Sequence, residues 1–187
     1  MARIQAVLLN SGDVRADLIG VDLAGGDLSD PGAVGERPPD VVIVGGAGPE
    51  FSYQAMNRAF AALRGGAALV AMHRNMYWRT DEGLRLDGGP FLLGLEGAAG
   101  VTAEVTGKPA AAFFMASLAV AGAIPEQALM VGDDIGSDVL AAQRCGLTGV
   151  LVRTGKYLPE TERSAPARPD HVIDSVADLP GLLSGLR

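Results

Sequence analysis

The stretch ALMVGDDIGSD, residues 128–138, indicates how this chain folds. It begins with a short apolar run that is typical of a buried strand, and this run ends at Gly132. Asp133 and Asp134 follow at the carboxyl end of the strand, and Asp138 falls in the first turn of a helix. Because ligands of open α/β folds bind at the carboxyl ends of parallel strands, this stretch predicts a parallel sheet with a site at its edge.

Similar short apolar runs, bounded by Gly, Pro, Asn or Asp, recur along the chain and alternate with helical patterns. Ser52 is a good cap for a helix that closes at Gly65, and Pro109 is expected to open a helix that reaches Gly122. A third helix is expected to start at Ser137 or Asp138. This alternation predicts an α/β fold with a parallel, Rossmann-like sheet. The predicted strands are residues 6–9, 41–44, 68–72, 103–106, 128–131 and 149–152.

Three other stretches are predicted to connect these elements. Residues 24–39 and 156–169 are rich in Gly, Pro and charge and are expected to be exposed loops. Residues 74–90 are expected to form a hairpin followed by an exit loop at the Gly-Gly-Pro sequence 88–90.

Composition excludes several classes of protein. The chain has 187 residues and a formal net charge of −7, which offers no basic surface for nucleic acid. No stretch approaches the roughly 18 consecutive apolar residues of a membrane span, and the N-terminus does not resemble a signal peptide. Cys145 is the single cysteine, so no intrachain disulfide can form. We therefore expect a cytoplasmic protein that binds neither nucleic acid nor membrane.

The acidic cluster suggests a metal site. Asp133, Asp134 and Asp138 would repel one another unless they share a cation, and carboxylate oxygens are ligands that suit Mg²⁺. The alternative is that Asp138 is a helix cap and that the other two are solvated turn residues.

A lysine at a second strand end supports the metal interpretation. Lys108 lies in VTGKP, residues 105–109, just before the helix that Pro109 opens. Its ammonium group and a nearby Mg²⁺ would suit a phosphate group as the ligand. The alternative is a lysine that only extends from a loop into solvent.

These motifs resemble a known family. GKP at 107–109 followed by GDDIGSD at 132–138 is similar to motifs three and four of the haloacid dehalogenase-like (HAD) phosphatase superfamily. The sequence from about Pro39 onward resembles its subfamily with a large α/β cap, which includes the phospholysine phosphohistidine inorganic pyrophosphate phosphatase-like proteins. The resemblance implies a cap-like region at residues 1–90 and a partial HAD-like core at residues 91–187.

The resemblance also implies residue roles. Lys108 would hold the phosphoryl group and neutralise the nucleophile, Asp133 would ligate Mg²⁺, and Asp134 and Asp138 would complete or support the metal site. Family members often form symmetric dimers through the cap, so we expect a homo-oligomer. The cap loop that selects substrate would contain His73, Arg74 and Asn75.

The chain departs from the family where the nucleophile should be. The pattern Asp-x-Asp-Gly-Thr is absent, and motif two is not recognisable. In one register, residues 6–9 form the first core strand and Asn10 takes the nucleophile's position, although an amide oxygen cannot replace a carboxylate. In the other, which we favour, residues 7–21 are a strand and a helix of the cap, and the first part of the core is missing from a truncated chain.

Both registers predict a phosphatase fold with reduced or no activity. The alternatives are an active phosphatase of small phosphate monoesters or pyrophosphate with an unexpected nucleophile, such as Asp13 or a residue of a partner chain, and a non-catalytic binding module. The resemblance implies a small phosphorylated molecule, inorganic phosphate or pyrophosphate as the ligand. Arg153 and Lys156, which follow the last core strand, are expected to be solvated loop charges at the rim of the site.

Overall fold

The computed structural model describes residues 4–23, 26–32 and 37–186 and divides the chain into two compact units. Unit 1 ends at Thr106 and unit 2 begins at Gly107. The domain boundary predicted after residue 90 therefore falls within unit 1. The assignment of cap-like and core-like regions remains a prediction.

Unit 1 contains a parallel sheet and a hairpin. Four strands pair in the order β1-β2-β3-β6, and β4 and β5 form an antiparallel hairpin. Leu9 pairs with Val44, and Val44 pairs with Ala71, so three neighbouring strands end at one edge of the sheet. The strands are β1 (Ala6–Leu9), β2 (Val41–Val44), β3 (Ala68–Ala71), β4 (Tyr77–Thr80), β5 (Gly83–Leu86) and β6 (Glu104–Val105).

Alternate side chains of this sheet pack on its two faces, as the period of a strand requires. One face packs against helices α1 (Tyr53–Arg64) and α2 (Gly88–Ala99). The other face packs against the segment that follows β1. The first face buries Val7, Leu9, Val42, Val44, Leu69 and Ala71, and the second buries Ala6, Leu8 and Ile43 beneath Val14, Leu18 and Leu23.

Helix α1 confirms the sequence-based prediction, whereas α2 was not predicted. Ser52 Oγ accepts a hydrogen bond from the Ala55 amide at 3.2 Å, and Gly65 ends α1. The Gly-Gly-Pro sequence that was expected to be an exit loop instead forms the first turn of α2. Gly88 and Gly89 lie so close to neighbouring backbone that a Cβ atom would come within 2.4 and 2.6 Å of carbonyl oxygens. The glycines therefore permit close packing here rather than a loop.

Unit 2 is built on a second parallel sheet, with the strand order β7-β8-β9. Its core contains Phe114 and Leu118 of the first helix, which pack against Ala141 and Ala142. A π-helical turn, Ile135–Leu140, leads directly into the short helix α4 (Ala141–Arg144). The elements are α3 (Ala111–Ala121), β7 (Leu129–Gly132), α4 (Ala141–Arg144), β8 (Thr148–Val152), α5 (Pro159–Ser164), β9 (His171–Ile173) and α6 (Leu179–Gly185).

The predicted α/β class and its parallel sheets are confirmed, and each of the six predicted strands is present within one or two residues of its expected bounds. Besides the expected exit loop at residues 88–90, three local predictions in unit 2 were wrong. Pro109 precedes the helix, which begins after Ala110, and the helix expected from residue 137 or 138 begins at Ile135 because Asp134 caps it. The predicted loop 156–169 contains α5.

Two predictions concern the first forty residues. The segment after β1 forms only a single 3-10 turn, Arg15–Asp17, in place of the expected cap helix. Within the predicted loop 24–39, residues 24–25 and 33–36 lie outside the described residues. Leu28 in the described part is buried in the core of unit 1, so this loop is not wholly exposed.

An ion pair joins the end of β3 to α2. Both guanidinium Nη atoms of Arg74 donate to the carboxylate of Glu96, and the Ala103 amide donates to the same carboxylate at 2.7 Å. The hydrogen bonds from Arg74 are the main reason that the pKa of Glu96 lies below its ordinary value of 4.5, although burial opposes the shift. The pair thus links the loop after β3 with α2 and with the segment before β6.

We expect Glu96→Gln to lower the free energy of unfolding by about 1–3 kcal/mol at neutral pH, because Arg74 loses its charged partner. The lowered pKa of Glu96 contributes stability that is present above pH 4.5 and is lost as the pH falls through the lowered value. The difference between variant and native chain should therefore shrink below about pH 4.5.

Urea denaturation at a series of pH values measures both effects. Glu82→Gln is the matched control, since Glu82 pairs with Arg85 on the exposed hairpin and should contribute little. A loss of stability that is equal for the two variants, or that does not vary with pH, would contradict the structural role of the Arg74–Glu96 pair.

Candidate functional site

The carboxyl end of β7 carries the acidic cluster, defined here as Asp133, Asp134 and Asp138. Asp133 and Asp134 directly follow the strand, and Asp138 lies one turn into the helix that begins at Ile135. A Cβ atom on Gly132 would lie 2.3 Å from Asp138 Oδ2, so glycine is needed for this carboxylate to fold back over the strand end. Asp138 is consequently buried, with 6% of its surface exposed.

Lys108 forms an ion pair with this buried carboxylate. Its Nζ atom donates to Asp138 Oδ1 at 2.7 Å, and the Asp134 amide lies 3.3 Å from the other oxygen of Asp138. The side chain of Lys108 remains 34% exposed. Lys108 and the acidic cluster are therefore in direct contact within unit 2.

Asp134 has two sets of partners. Its Oδ1 atom caps the following helix by accepting hydrogen bonds from the amides of Gly136 and Ser137, both at 2.9 Å. Its Oδ2 atom pairs with Lys156 Nζ at 2.8 Å. Burial favours the neutral acid, but these hydrogen bonds and the lysine charge outweigh it, so the pKa of Asp134 lies below its ordinary value.

Asp133 is held through backbone contacts. Its Oδ2 atom accepts a hydrogen bond from the Lys156 amide at 2.8 Å. Gly155 has a positive φ of 60°, and a Cβ atom there would lie 2.0 Å from the same oxygen. In the described part of the chain, Asp133 forms no ion pair with a lysine or arginine side chain.

Lys156 contacts the acidic cluster in a way that the sequence interpretation missed. It was expected to be a solvated loop charge, but its side chain is only 16% exposed and contacts Asp134 directly. Lys156 contacts the acidic cluster twice: its backbone amide donates to Asp133, and its ammonium group pairs with Asp134. The position of Lys156 just after a predicted strand could have indicated this contact. That strand, β8, lies next to β7 in parallel register and ends at the same edge of the sheet.

The acidic cluster fits Mg²⁺ only in part. The donors are hard carboxylate oxygens of the kind that Mg²⁺ prefers, and Asp133 forms no direct ion pair with a lysine side chain among the described residues. Within residues 4–23, 26–32 and 37–186, however, no three Asp, Glu, His or Cys side chains are arranged to hold a metal ion together. A metal at Asp133 would therefore need further donors.

Asn10 and Asp13 belong to unit 1. Asn10 is 4% exposed, and its Oδ1 accepts from the Gly46 amide at 2.9 Å while its Nδ2 donates to the carbonyls of Ser11 and Gly12. These bonds tie the end of β1 to the end of β2. Asp13 accepts from the Arg15 amide. β1 pairs with β2 in the unit 1 sheet, and whether this strand belongs to the cap-like region or to the core remains a prediction.

The predicted cap loop follows β3. His73 Nε2 lies 3.7 Å from Asp87 Oδ1, and His73 Nδ1 accepts a hydrogen bond from the Asn75 amide at 3.3 Å. Arg74 is engaged by Glu96. His73 and Arg74 thus have structural partners, and a role of this loop in substrate selection remains a prediction.

Comparison with known proteins places the site in a family. A family model described as HAD-hydrolase-like matches residues 105–179, which include Lys108 and the acidic cluster. Phospholysine phosphohistidine inorganic pyrophosphate phosphatase from Homo sapiens is 42% identical over 147 residues, which are 78% of this chain and 54% of that protein. Haloacid dehalogenase-like hydrolase domain-containing protein 2 from Pongo abelii is 40% identical over 90% of this chain and 67% of that protein.

The chain is also similar in structure to solved proteins of the same kind. A 4-nitrophenylphosphatase from Thermotoga maritima superimposes with a TM-score of 0.79 at 25% identity, over 96% of this chain and 65% of that one. NagD from E. coli K-12 gives a TM-score of 0.73, also at 25% identity, over 95% of this chain and 66% of that one.

Two further facts limit what the likeness covers. The chain spans little more than half the length of the first human relative, so that protein's activity does not transfer as a whole. Among the described residues, no helix has the length and apolar character needed to cross a bilayer. From the order of its motifs, the contact between Lys108 and Asp138, and its similarity to these phosphatases, the chain belongs to the haloacid dehalogenase-like hydrolase family.

Proposed function

We propose that this chain carries the metal-binding and phosphate-binding half of a HAD-type phosphatase site and that, by itself, it has reduced or no phosphatase activity. The observation that supports this most directly is the 2.7 Å contact between Lys108 Nζ and Asp138 Oδ1, beside Asp133 at the end of β7. This contact joins a phosphate-binding cation to a cluster of metal-type ligands.

Lys108 is the proposed phosphoryl-binding residue. Its ion pair with the buried Asp138 holds the ammonium group in one position, while a third of the side chain remains open to solvent. A positioned ammonium group can donate to a phosphate oxygen without a large loss of side-chain entropy. In this role Lys108 would offset the negative charge of a small phosphate ester, inorganic phosphate or pyrophosphate.

Asp133 is the proposed principal ligand for Mg²⁺. It is the member of the cluster that forms no direct ion pair with a lysine side chain in the described residues, whereas Asp134 and Asp138 are paired and would support the site indirectly. When bound, Mg²⁺ would neutralise charge on a phosphate group and orient it.

The chain offers no evident nucleophile for the covalent step. The family's Asp-x-Asp-Gly-Thr pattern is absent from the sequence. Asn10 has an amide in place of a carboxylate, and both its polar atoms are bound to backbone groups. Asp13 accepts a local hydrogen bond from Arg15. Loss of an attacking carboxylate usually lowers the rate by several orders of magnitude, which supports a chain with little or no activity.

The names of the relatives suggest the class of ligand. They describe phosphatases of phosphorylated amino acids, pyrophosphate and 4-nitrophenyl phosphate. We propose a small phosphorylated ligand for this chain, with a cap-like region at residues 1–90 and a partial core at residues 91–187.

Phosphatase activity is the first test. We expect the purified chain to hydrolyse p-nitrophenyl phosphate with Mg²⁺ no faster than Asp133→Asn does, because neither supplies an attacking carboxylate. Steady turnover that Asp133→Asn abolishes would refute the proposal of an inactive chain.

Asn10→Asp tests the first register, since a gain of Mg²⁺-dependent turnover in that variant would identify residue 10 as the nucleophile's position.

Phosphate binding is the second test, measured by calorimetric titration with inorganic phosphate in the presence of Mg²⁺. We expect Lys108→Met to weaken binding by about ten-fold or more, since a charge-assisted hydrogen bond is lost. Lys108→Arg, which keeps the charge beside Asp138, should retain most of the affinity. Arg163→Met, on the exposed face of α5, is the control for a general loss of positive charge. Equal affinity in the native chain and Lys108→Met would contradict the assignment.

Self-association is the third test. Trp78 pairs with Arg85 on one face of the β4–β5 hairpin, and the opposite face exposes Leu84 and Leu86, which together form an apolar surface on unit 1. We propose that a second copy of the chain covers it, and we expect sedimentation velocity at micromolar concentration to detect a dimer. Leu86→Asp should shift the chain toward monomer, whereas Glu82→Gln on the same hairpin should not. A stable monomer of the native chain would contradict this proposal.

A further inference from the structure

Lys156 and its neighbour Gly155 hold the loop after β8 against the acidic cluster. The Lys156 amide donates to Asp133 Oδ2, and the Lys156 ammonium group pairs with Asp134 Oδ2, each at 2.8 Å. Gly155 approaches the Asp133 carboxylate so closely that no side chain could be accommodated. A single loop therefore contacts two of the three carboxylates, one through its backbone and one through a charged side chain.

The loop is itself anchored on its outer side. Tyr157 Oη donates to Glu162 Oε2 at 2.6 Å, and Arg153 pairs with Glu162 and Asp174. These contacts fix the loop to α5 and to the segment after β9. Lys156 is thus presented to the acidic cluster from a supported loop rather than from a free one.

The two lysines compensate most of the charge of the acidic cluster. Three carboxylates and two ammonium groups leave a net charge of −1 (−3 + 2) when all are ionised. Lys156 also interacts electrostatically with Asp138 and Asp133. Lys156 thus lies where its charge acts on the whole cluster.

We propose that Lys156 is a tethered counter-cation that keeps Asp134 out of divalent-metal coordination and so confines a bound metal to Asp133. The proposal rests on the Mg²⁺ site described under the proposed function. One Asp134 oxygen is already engaged by two helix amides and the other by Lys156. A metal would have to displace the ammonium group to reach Asp134, whereas Asp133 faces no such competitor among the described side chains.

Stability and Mg²⁺ affinity together distinguish a lysine that competes with a metal from one that only stabilises the loop. If Lys156 only stabilises the loop, its removal lowers stability and leaves metal affinity equal or weaker. If Lys156 competes with a metal, its removal lowers the stability of the metal-free chain but raises the affinity for Mg²⁺. The two quantities then change in opposite directions.

The experiment titrates Mg²⁺ alone into the full chain by isothermal calorimetry, with thermal unfolding in EDTA as the second measurement. We expect Lys156→Met to unfold at a lower temperature without metal and to bind Mg²⁺ on the order of ten-fold more tightly, because a nearby positive charge is removed. Lys156→Arg should behave as the native chain does. Should Lys156→Met not fold, Lys156→Gln keeps a donor to Asp134 without the charge and should change affinity in the same direction.

Two further variants identify the carboxylate responsible. In the double variant Lys156→Met with Asp134→Asn, the gain in affinity should disappear, since the gain depends on the released Asp134. Arg153→Met is the matched control, because it removes a charge from the same loop whose partners are Glu162 and Asp174 rather than the acidic cluster. Its Mg²⁺ affinity should equal that of the native chain.

Unchanged or weaker Mg²⁺ binding by Lys156→Met would overturn the inference. If the native chain still binds Mg²⁺ in a manner that Asp133→Asn abolishes, the proposed metal site survives that result. If the native chain does not bind but Lys156→Met does, the inference stands and the proposed site of the native chain fails. If neither binds at millimolar Mg²⁺, both are overturned.

Discussion

The organisation of unit 2 depends on one constraint: the negative charges of three carboxylates at the end of one strand must be balanced. Asp133, Asp134 and Asp138 lie within one turn of each other, and such a cluster is unfavourable unless opposite charges or hydrogen bonds balance it. Two lysines and several backbone amides provide that balance. The loops that carry these lysines are therefore held at the edge of the sheet by the same charges that define the candidate site.

Glycine makes this arrangement possible at two points. Gly132 lets the Asp138 carboxylate fold over the strand end, and Gly155 lets the loop after β8 approach Asp133. At either position a Cβ atom would overlap a carboxylate oxygen. The acidic cluster needs partners for its charges, and Gly132 and Gly155 let those partners approach. Residue types within two short segments therefore specify much of the local structure.

Much of the fold could be predicted because its signals are local. Short apolar runs bounded by Gly, Pro or Asp predicted the parallel strands, and Ser52 and Gly65 predicted the ends of α1. The prediction failed at α2, where Gly88 and Gly89 appeared to break a helix. These glycines are required by the close approach of backbone from distant parts of the chain, and no local pattern contains that information.

The sequence by itself determined the fold class, the family, and which strand ends carry acids and a lysine, because each depends on residue type and spacing along the chain. Only the tertiary structure decided which charges pair. Lys108 contacts Asp138, thirty positions further along the chain, and Lys156 contacts Asp134 from the end of the adjacent strand. Charge pairing depends on distances in space. For Lys156 the parallel register of β7 and β8 sets that distance, which sequence spacing alone does not express.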